Sequence, residues 1–459
     1  MKRKTTLILA PLYCLIFTFG AETFATNSIE IYKARRAAVL DKMASNSVLI
    51  LKAAPVERRN GDVDYVYRQD SDFYYLTGFE EPEAVLILSK RGLFLRDNFQ
   101  RVNELLLLRE RDPRRETWDG YMLGVDRAES VLGVQAARSI DELKTYMASS
   151  IRNADTVYVK IGRVDFDSPL NEELDFIKKA RERLLDFAVV DPNVFFVPMR
   201  QKKDEHELEL LKKAIEITGQ GHLEAMRTAK PDIFEYQLEA SLEYVFHQNG
   251  CEREGFPSIV GSGPNSCILH YNTNRRKMRD GEVVVLDIGA EYGMYTADIT
   301  RTIPVSGKFT KEQKAIYNIV LEAQEAGIAA AVAGAGFRAP NMAAAQKVRD
   351  GLIRLKLLNE NADRRAMRDF LPHGISHYIG LDVHDVGGHG ILQPNEVITV
   401  EPGIYISETT GKKHDLPKGY WNIGVRIEDD ILITENGPVL LSKHAPRKAE
   451  EIEKVMAGK

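Results

Sequence analysis

In the stretch "VVVLDIGAEYGMYTADITRT", residues 283–302, Asp287 ends an apolar run and Asp298 sits among strand-forming residues. Both flanks are β-rich and "GAEYG" between them holds Gly289 and Gly293, so the pattern predicts a hairpin turning there. If Asp287 pairs with Asp298, both carboxylates face one side with Cβ atoms ~5 Å apart. Like charges so placed destabilise a sheet unless a cation or a shared proton lies between them. A second reading stays open on these residues alone: Asp287 caps a turn and Asp298 pairs with Arg301.

Further candidates follow downstream. "LPHGISHYIGLDVHDVGGHG", residues 371–390, holds four of the ten histidines. His373 and His377 are four apart, but the glycines around them predict an extended or loop segment rather than a helix. With His384, they suit either metal ligation or structural hydrogen bonding. Glu401 closes the strand-like "NEVITV", and Pro402 and Gly403 after it mark a strand end where a ligand could be presented. In "GVRIEDDILIT", alternation sets Arg426, Glu428 and Asp430 on one face, which reads as a charged outer face. Cys267 stands three residues before His270, a spacing that raises a thiol nucleophile without establishing one.

These residues need elements to hold them. The 459 residues, 44% hydrophobic and 28% charged, suffice for two domains with full cores. A formal charge of -5, spread over 62 basic and 67 acidic residues, leaves no basic stripe for a nucleic acid. Residues 28–190 alternate apolar strands ("SVLILKA", "AVLILSK", "TVYVKIG") with helical patterns such as "SPLNEELDFIKKARERLL", an α/β pattern. A division falls near residue 195, where "DPNVFFVPMR" leads into a helix with Leu208, Leu211 and Ile215 on one face. Residues 195–459 mix helices and strands and carry the candidate chemistry. At the other end, Lys2, Arg3 and Lys4 precede the apolar residues 7–19, and "TFA" ends at Ala25. This pattern predicts an export signal over residues 1–25, cleaved after Ala25, and hence a periplasmic or secreted protein. The apolar run contains Pro11 and is shorter than the ~20 residues of a spanning helix, so no stable membrane anchor is expected. Cys251 and Cys267 are expected as free thiols, since a domain this large needs no disulfide.

Taken in order, "LDIGAEYGMYTADITRT", "PHGISHYIGLDVHDVG", "TVEPGIY" and "GVRIEDD" resemble the signature segments of the proline-specific metallopeptidases with the creatinase or pita-bread fold. "RNGDVDYVYRQDSDFYYLTGFEEPEAVLIL", residues 59–88, resembles the N-terminal domain of bacterial aminopeptidase P. The resemblance implies an α/β (α+β) chain: an N-terminal α/β creatinase-like domain over 28–190, then a pita-bread catalytic domain over 195–459. It places five metal ligands at Asp287, Asp298, His377, Glu401 and Glu428, with Asp298 and Glu428 shared between two divalent ions. Manganese is favoured among Mn, Co, Fe and Zn, and the pair would activate a water for attack on a peptide carbonyl. It further implies that His270 and His384 stabilise the tetrahedral intermediate, that His373 lines a proline pocket, and that Glu401 also shuttles a proton. Tyr405 and Arg426 would support the pocket.

The implied activity is release of the first residue from Xaa-Pro peptides by a homo-oligomer, a dimer or tetramer. The alternatives are a prolidase limited to Xaa-Pro dipeptides and a peptide-binding homologue without catalysis. One departure is Tyr74 in "SDFYYLTG", where the family commonly has tryptophan. If that aromatic contacts substrate across subunits, preference for the first residue shifts with it.

Overall fold

The computed structural model describes residues 17–152, 154–162, 167–184 and 186–458, with side chains from residue 29 onward. The export signal expected over residues 1–25 lies outside the residues whose side chains are described. Among the described residues, no helix is long and apolar enough to cross a membrane. The chain forms two compact units, the first ending at Phe196 and the second beginning at Val197.

The N-terminal unit is built on a six-stranded mixed sheet in the order 137–139, 101–108, 85–94, 47–52, 156–159, 188–190. Ser47–Lys52 pairs antiparallel with Val85–Phe94 on one side and parallel with Thr156–Val159 on the other. Being central, it is buried along nearly its whole length, which is why "SVLILK" is a continuous apolar run rather than an alternating one. The predicted helical pattern after Ser168 forms Glu172–Arg183, capped by the Asn171 side chain. Tyr74 lies on the short helix Ser71–Thr77, whose N-terminus the Asp70 carboxylate caps. That helix turns Tyr74 inward against the Tyr32 ring, centroids 5.9 Å apart and the side chain 7% exposed. It is a core residue of its own unit.

The C-terminal unit opens with α1 (Glu205–Thr228) and α2 (Glu235–Gln248). Asp204 and Glu207 close a reciprocal cap on α1, and Leu211 and Ile215 are fully buried. Then come β1 (Arg253–Glu254), β2 (Ile259–Ser262), β3 (Val283–Ile288), β4 (Ala290–Tyr292), β5 (Tyr295–Thr296) and β6 (Ile299–Pro304). Helices α3 (Lys311–Ala330) and α4 (Ala339–Arg354) lead to β7 (Val397–Val400), β8 (Gly403–Ile406), β9 (Ile423–Arg426), β10 (Asp429–Thr434) and β11 (Gly437–Leu440). All pairings are antiparallel: β2–β3–β6, β1–β4–β5, β7–β10–β11 and β8–β9. Val284, Leu286, Ile303, Ile316, Val320, Val400, Ile404 and Ile427 belong to one continuous core under these sheets.

The hairpin differs from its expected register. The turn is the pair Gly293–Met294, both at positive φ (56° and 71°), between the paired Tyr292 and Tyr295. Two consecutive positive φ values make a two-residue turn whose twist matches the strands. Asp287 therefore pairs with Thr300, not with Asp298. Asp298 precedes Ile299, the partner of Ile288, so the two aspartates are diagonal neighbours on one face. Diagonal pairs stand ~7–8 Å apart rather than ~5 Å. Gly289 permits the crossing, because a Cβ there would lie 1.9 Å from the Ala297 carbonyl oxygen.

Candidate active site

Four strand ends and one loop converge on the face that carries the two aspartates. β3 carries Asp287, and Asp298 immediately precedes β6. β7 ends at Val400 and delivers Glu401, whose N–H donates to the Ile375 carbonyl (2.8 Å). One step up the same ladder, Thr399 N–H donates to His377 O (2.9 Å) and His377 N–H to Thr399 Oγ1 (3.2 Å). The histidine segment thus runs extended beside β7, with no helix between 371 and 390, as its glycines predict. Glu428 follows β9, and its N–H donates to the Thr300 carbonyl (3.1 Å).

The face of Arg426, Glu428 and Asp430, expected outside, is inside. They are 4%, 2% and 0% exposed. Strand alternation groups such residues correctly but does not say which face meets solvent, and here both faces are covered. Their charges have specific partners. Arg426 Nη2 donates to Asp287 Oδ2 (2.6 Å), Nη1 to Tyr405 Oη (2.8 Å) and Nε to Thr300 Oγ1 (3.2 Å). Thr300 Oγ1 in turn donates to Glu428 Oε2 (2.6 Å). Arg301 does not pair with Asp298; its guanidinium meets Asp429 Oδ1 (2.7 Å) behind the site.

His377 has a fixed tautomer. Its Nδ1 is 2.9 Å from the Tyr378 carbonyl, which can only accept, so Nδ1 carries the proton. The Nε2 lone pair then faces Asp298 Oδ2 (3.4 Å), Glu401 Oε1 (3.6 Å) and Glu428 Oε1 (3.9 Å). Acceptors facing acceptors repel unless a cation or a proton lies among them. Asp298, His377 and Glu428 each offer a ligand atom within 4.8 Å of the other two. Asp287 Oδ1 and Asp298 Oδ1 are buried and have no hydrogen-bond partner among the described residues.

Electrostatics point the same way. Burial first, and the neighbouring carboxylates second, hold Asp298 and Glu401 well above the usual carboxylate range and push Glu428 up to about 8. Burial lowers His377 to about 4, with His384 adding to the effect. The pocket therefore presents neutral imidazole nitrogen and clustered oxygen donors, a set that fits divalent cations of the Mn, Fe, Co or Zn kind. In a cation's absence burial and mutual repulsion favour the protonated forms of Asp298, Glu401 and Glu428 instead.

The remaining predicted residues border this cluster. His384 lies against His377, ring centroids 4.2 Å apart and the planes tilted by 56°. His373 Nδ1 donates to the Gly374 carbonyl (2.6 Å), so its Nε2 accepts from Tyr405 Oη (2.9 Å). This completes a chain from Arg426 through Tyr405 to His373, whose Nδ1 lies 3.6 Å from Glu401 Oε2. Burial and the Arg426 charge lower His373 to about 4. His270 is exposed on the loop after Cys267 and lies close enough to act electrostatically on both His373 and His384.

Thr300 and Thr399 escaped the sequence reading, and Asp430 entered it only as part of a charged outer face. Asp430 Oδ2 accepts from Asp298 N (3.2 Å) and so orients that aspartate, while its Oδ1 is buried without a partner among the described residues. Thr300 and Thr399 look like ordinary strand threonines. Their one signal is register, which places Thr300 opposite Asp287 and Thr399 opposite Asp430.

A two-unit α/β chain with a buried carboxylate–imidazole centre defines a class of metal-dependent exopeptidase. Residues 209–435 match metallopeptidase family M24, residues 32–158 match the aminopeptidase P N-terminal domain, and the chain belongs to that family. The Xaa-Pro aminopeptidase of Haemophilus influenzae is 39% identical over 437 residues, covering 93% of this chain and 97% of the relative. Human Xaa-Pro aminopeptidase 3 is 32% identical over 419 residues, covering 90% and 81%. Among solved structures, Escherichia coli aminopeptidase P with the inhibitor Pro-Leu is 38% identical with a TM-score of 0.85, covering 94% of this chain and 98% of that one. Pseudomonas aeruginosa aminopeptidase PepP matches with a TM-score of 0.84 at 38% identity and the same coverage.

Proposed function

We propose that this metallopeptidase removes the first residue from peptides with proline in second position. The observation that carries the reading is the His377 lone pair held against three carboxylates, within a chain 39% identical to Xaa-Pro aminopeptidases over nearly their whole lengths. Asp287, Asp298, His377, Glu401 and Glu428 would hold two divalent ions, with Asp298 and Glu428 shared, and manganese suits this oxygen-rich set. When bound, the ions supply Lewis-acid activation of water and of the scissile carbonyl.

The chain's own residues do the rest. Glu401, at a strand end and beside His373, moves a proton from the water to the leaving nitrogen. A proline nitrogen has no hydrogen in a peptide, so its departure as an amine depends on that delivered proton. His270 and His384, at the rim, donate to the developing oxyanion. His373, fixed by Tyr405 and Arg426, lines the proline pocket.

The assembled enzyme is a homo-oligomer, and the basic-then-apolar leader with "TFA" before Thr26 directs export. Sizing of the purified chain and N-terminal sequencing of the exported form test these two points: a monomer refutes the first, an N-terminus retaining residues 1–25 the second.

Incubating the manganese-loaded protein with Arg-Pro-Pro and with Arg-Pro, and measuring free arginine, tests the activity. Release from the tripeptide is expected. Release from the dipeptide alone would make it a prolidase, and no release from either would leave a peptide-binding protein.

A further inference from the structure

His270 sits in a long irregular segment between β2 and β3, where few strand or helix bonds can hold it. Its neighbours on both sides are nonetheless tied. The Leu269 carbonyl accepts from Arg426 Nη2 (3.5 Å), and the Tyr271 hydroxyl donates to Glu235 Oε2 (2.8 Å). Glu235, the first residue of α2, is completely buried.

The Glu235 carboxylate is the hub of this segment. Its Oε1 accepts from Ser262 N (2.8 Å), Ser262 Oγ (2.7 Å) and Asn265 Nδ2 (3.1 Å). Its Oε2 accepts from the Tyr271 hydroxyl and from Arg276 N (2.8 Å). These donors span residues 262–276, so one side chain ties both ends and the middle of the segment. Arg276 reinforces the closure through Ser262 Oγ (2.9 Å) and both oxygens of Glu282 (2.5 and 2.6 Å).

Every group aimed at Glu235 is a donor. An ionised carboxylate only accepts, with about four lone-pair sites, and is the side chain that can satisfy both sets at once. Glutamine has the same shape but turns one oxygen into a donor. One of the two sets would then face an amide N–H₂, and a buried donor left without its acceptor is destabilised.

We propose that Glu235 is a positioning residue for His270: through the Tyr271 hydroxyl and the ends of the segment it holds that imidazole toward the scissile carbonyl. The proposal rests on the reading of His270 given above. Glu235 is not one of the residues assigned to the metal or the substrate, and its loss is expected to leave metal content unchanged and to act on turnover.

The test compares the manganese-loaded full chain with Glu235→Gln, Tyr271→Phe, His270→Ala and the double variant Tyr271→Phe/His270→Ala on Arg-Pro-Pro. Tyr271→Phe removes only the hydroxyl and keeps the fold, so the test stands even if Glu235→Gln does not accumulate. Tyr271→Phe is expected to lower kcat about tenfold with KM and bound manganese little changed. In the His270→Ala background the same change should cost less than about twofold, because residues acting through one group are not additive. Equal losses in both backgrounds, or a His270→Ala variant as active as the parent, would overturn the proposal while leaving the peptidase reading intact. If the parent itself cleaves nothing, that reading fails separately, and amide exchange over residues 268–276 decides: faster exchange in Tyr271→Phe supports the tie, unchanged exchange removes it.

Discussion

His377 Nε2 lies 3.4 Å from Asp298 Oδ2 with its proton committed to the opposite ring nitrogen, so two acceptors face each other in a buried pocket. The arrangement is stable only with positive charge between them, which ties the folding of this centre to metal and to pH.

Metal removal should therefore make stability depend on pH. Glu428 has a folded pKa of about 8, above its unfolded value, so its contribution is fully present below pH ~4.5 and is lost as pH rises through 8. The chelated protein is expected to melt progressively lower between pH 5 and pH 9. Adding manganese at neutral pH should raise the midpoint, by the equivalent of about 2.7 kcal/mol at a hundredfold excess over Kd. Differential scanning with and without chelator measures both effects, and a flat metal-free profile would contradict the cluster.

His377→Ala and His384→Ala should separate. The first removes a nitrogen aimed at three carboxylates and is expected to lower bound metal and activity together. The second removes a ring that packs against His377 outside the cluster, and should lower turnover about 10²-fold with metal content intact. Elemental analysis beside kcat distinguishes them, and unchanged turnover would take His384 out of the mechanism.

Arg301→Ala should be the more damaging change to stability. Its guanidinium is fully buried and serves Asp429 together with the carbonyls of Thr300, Glu428, Ala445 and Pro446. Removing one partner of a buried pair leaves an uncompensated charge, at a cost of about 3–5 kcal/mol. Urea unfolding of the metal-loaded variant provides the number.

His222 adds an acid-sensitive term away from the pocket. Burial, with Arg301 nearby, lowers it to about 3, while its Nε2 meets the Ile299 carbonyl (2.9 Å). The folded state refuses a proton that the unfolded chain accepts below pH 6.5. Stability therefore falls as pH drops from 6.5 toward 3, by at most about 1.4 kcal/mol per pH unit. In His222→Gln the slope between pH 7 and pH 5 should flatten, as read from denaturant midpoints.

Cys267→Ser should leave activity within about twofold of the parent, because the thiol is not poised to react. Burial raises Cys267 to about 12 and Cys251 to about 11, and both are free rather than paired. Iodoacetamide should modify neither at neutral pH in the folded protein, as mass spectrometry would show.

Residue types and order along the chain were enough to identify two aspartates near a turn, a glycine-broken histidine segment and a glutamate at a strand end, because these are local patterns. The continuous apolar run of Ser47–Lys52 and the helix at Glu172–Arg183 were legible for the same reason. Register and burial were not. A hairpin turning at the end of "GAEYG", on Gly293–Met294, sets Asp287 opposite Thr300 rather than Asp298, a register decided by positive φ at two adjacent residues. The segment of Arg426, Glu428 and Asp430 reads as a solvent face by alternation, yet β6 lies against Glu428 and β7 pairs with β10 at Asp430, so those charges are covered and become the wall of the site. Alternation along a strand says which side chains share a face; only long-range packing decides what that face meets, and here that packing turned a charged stripe into a buried cluster requiring a cation.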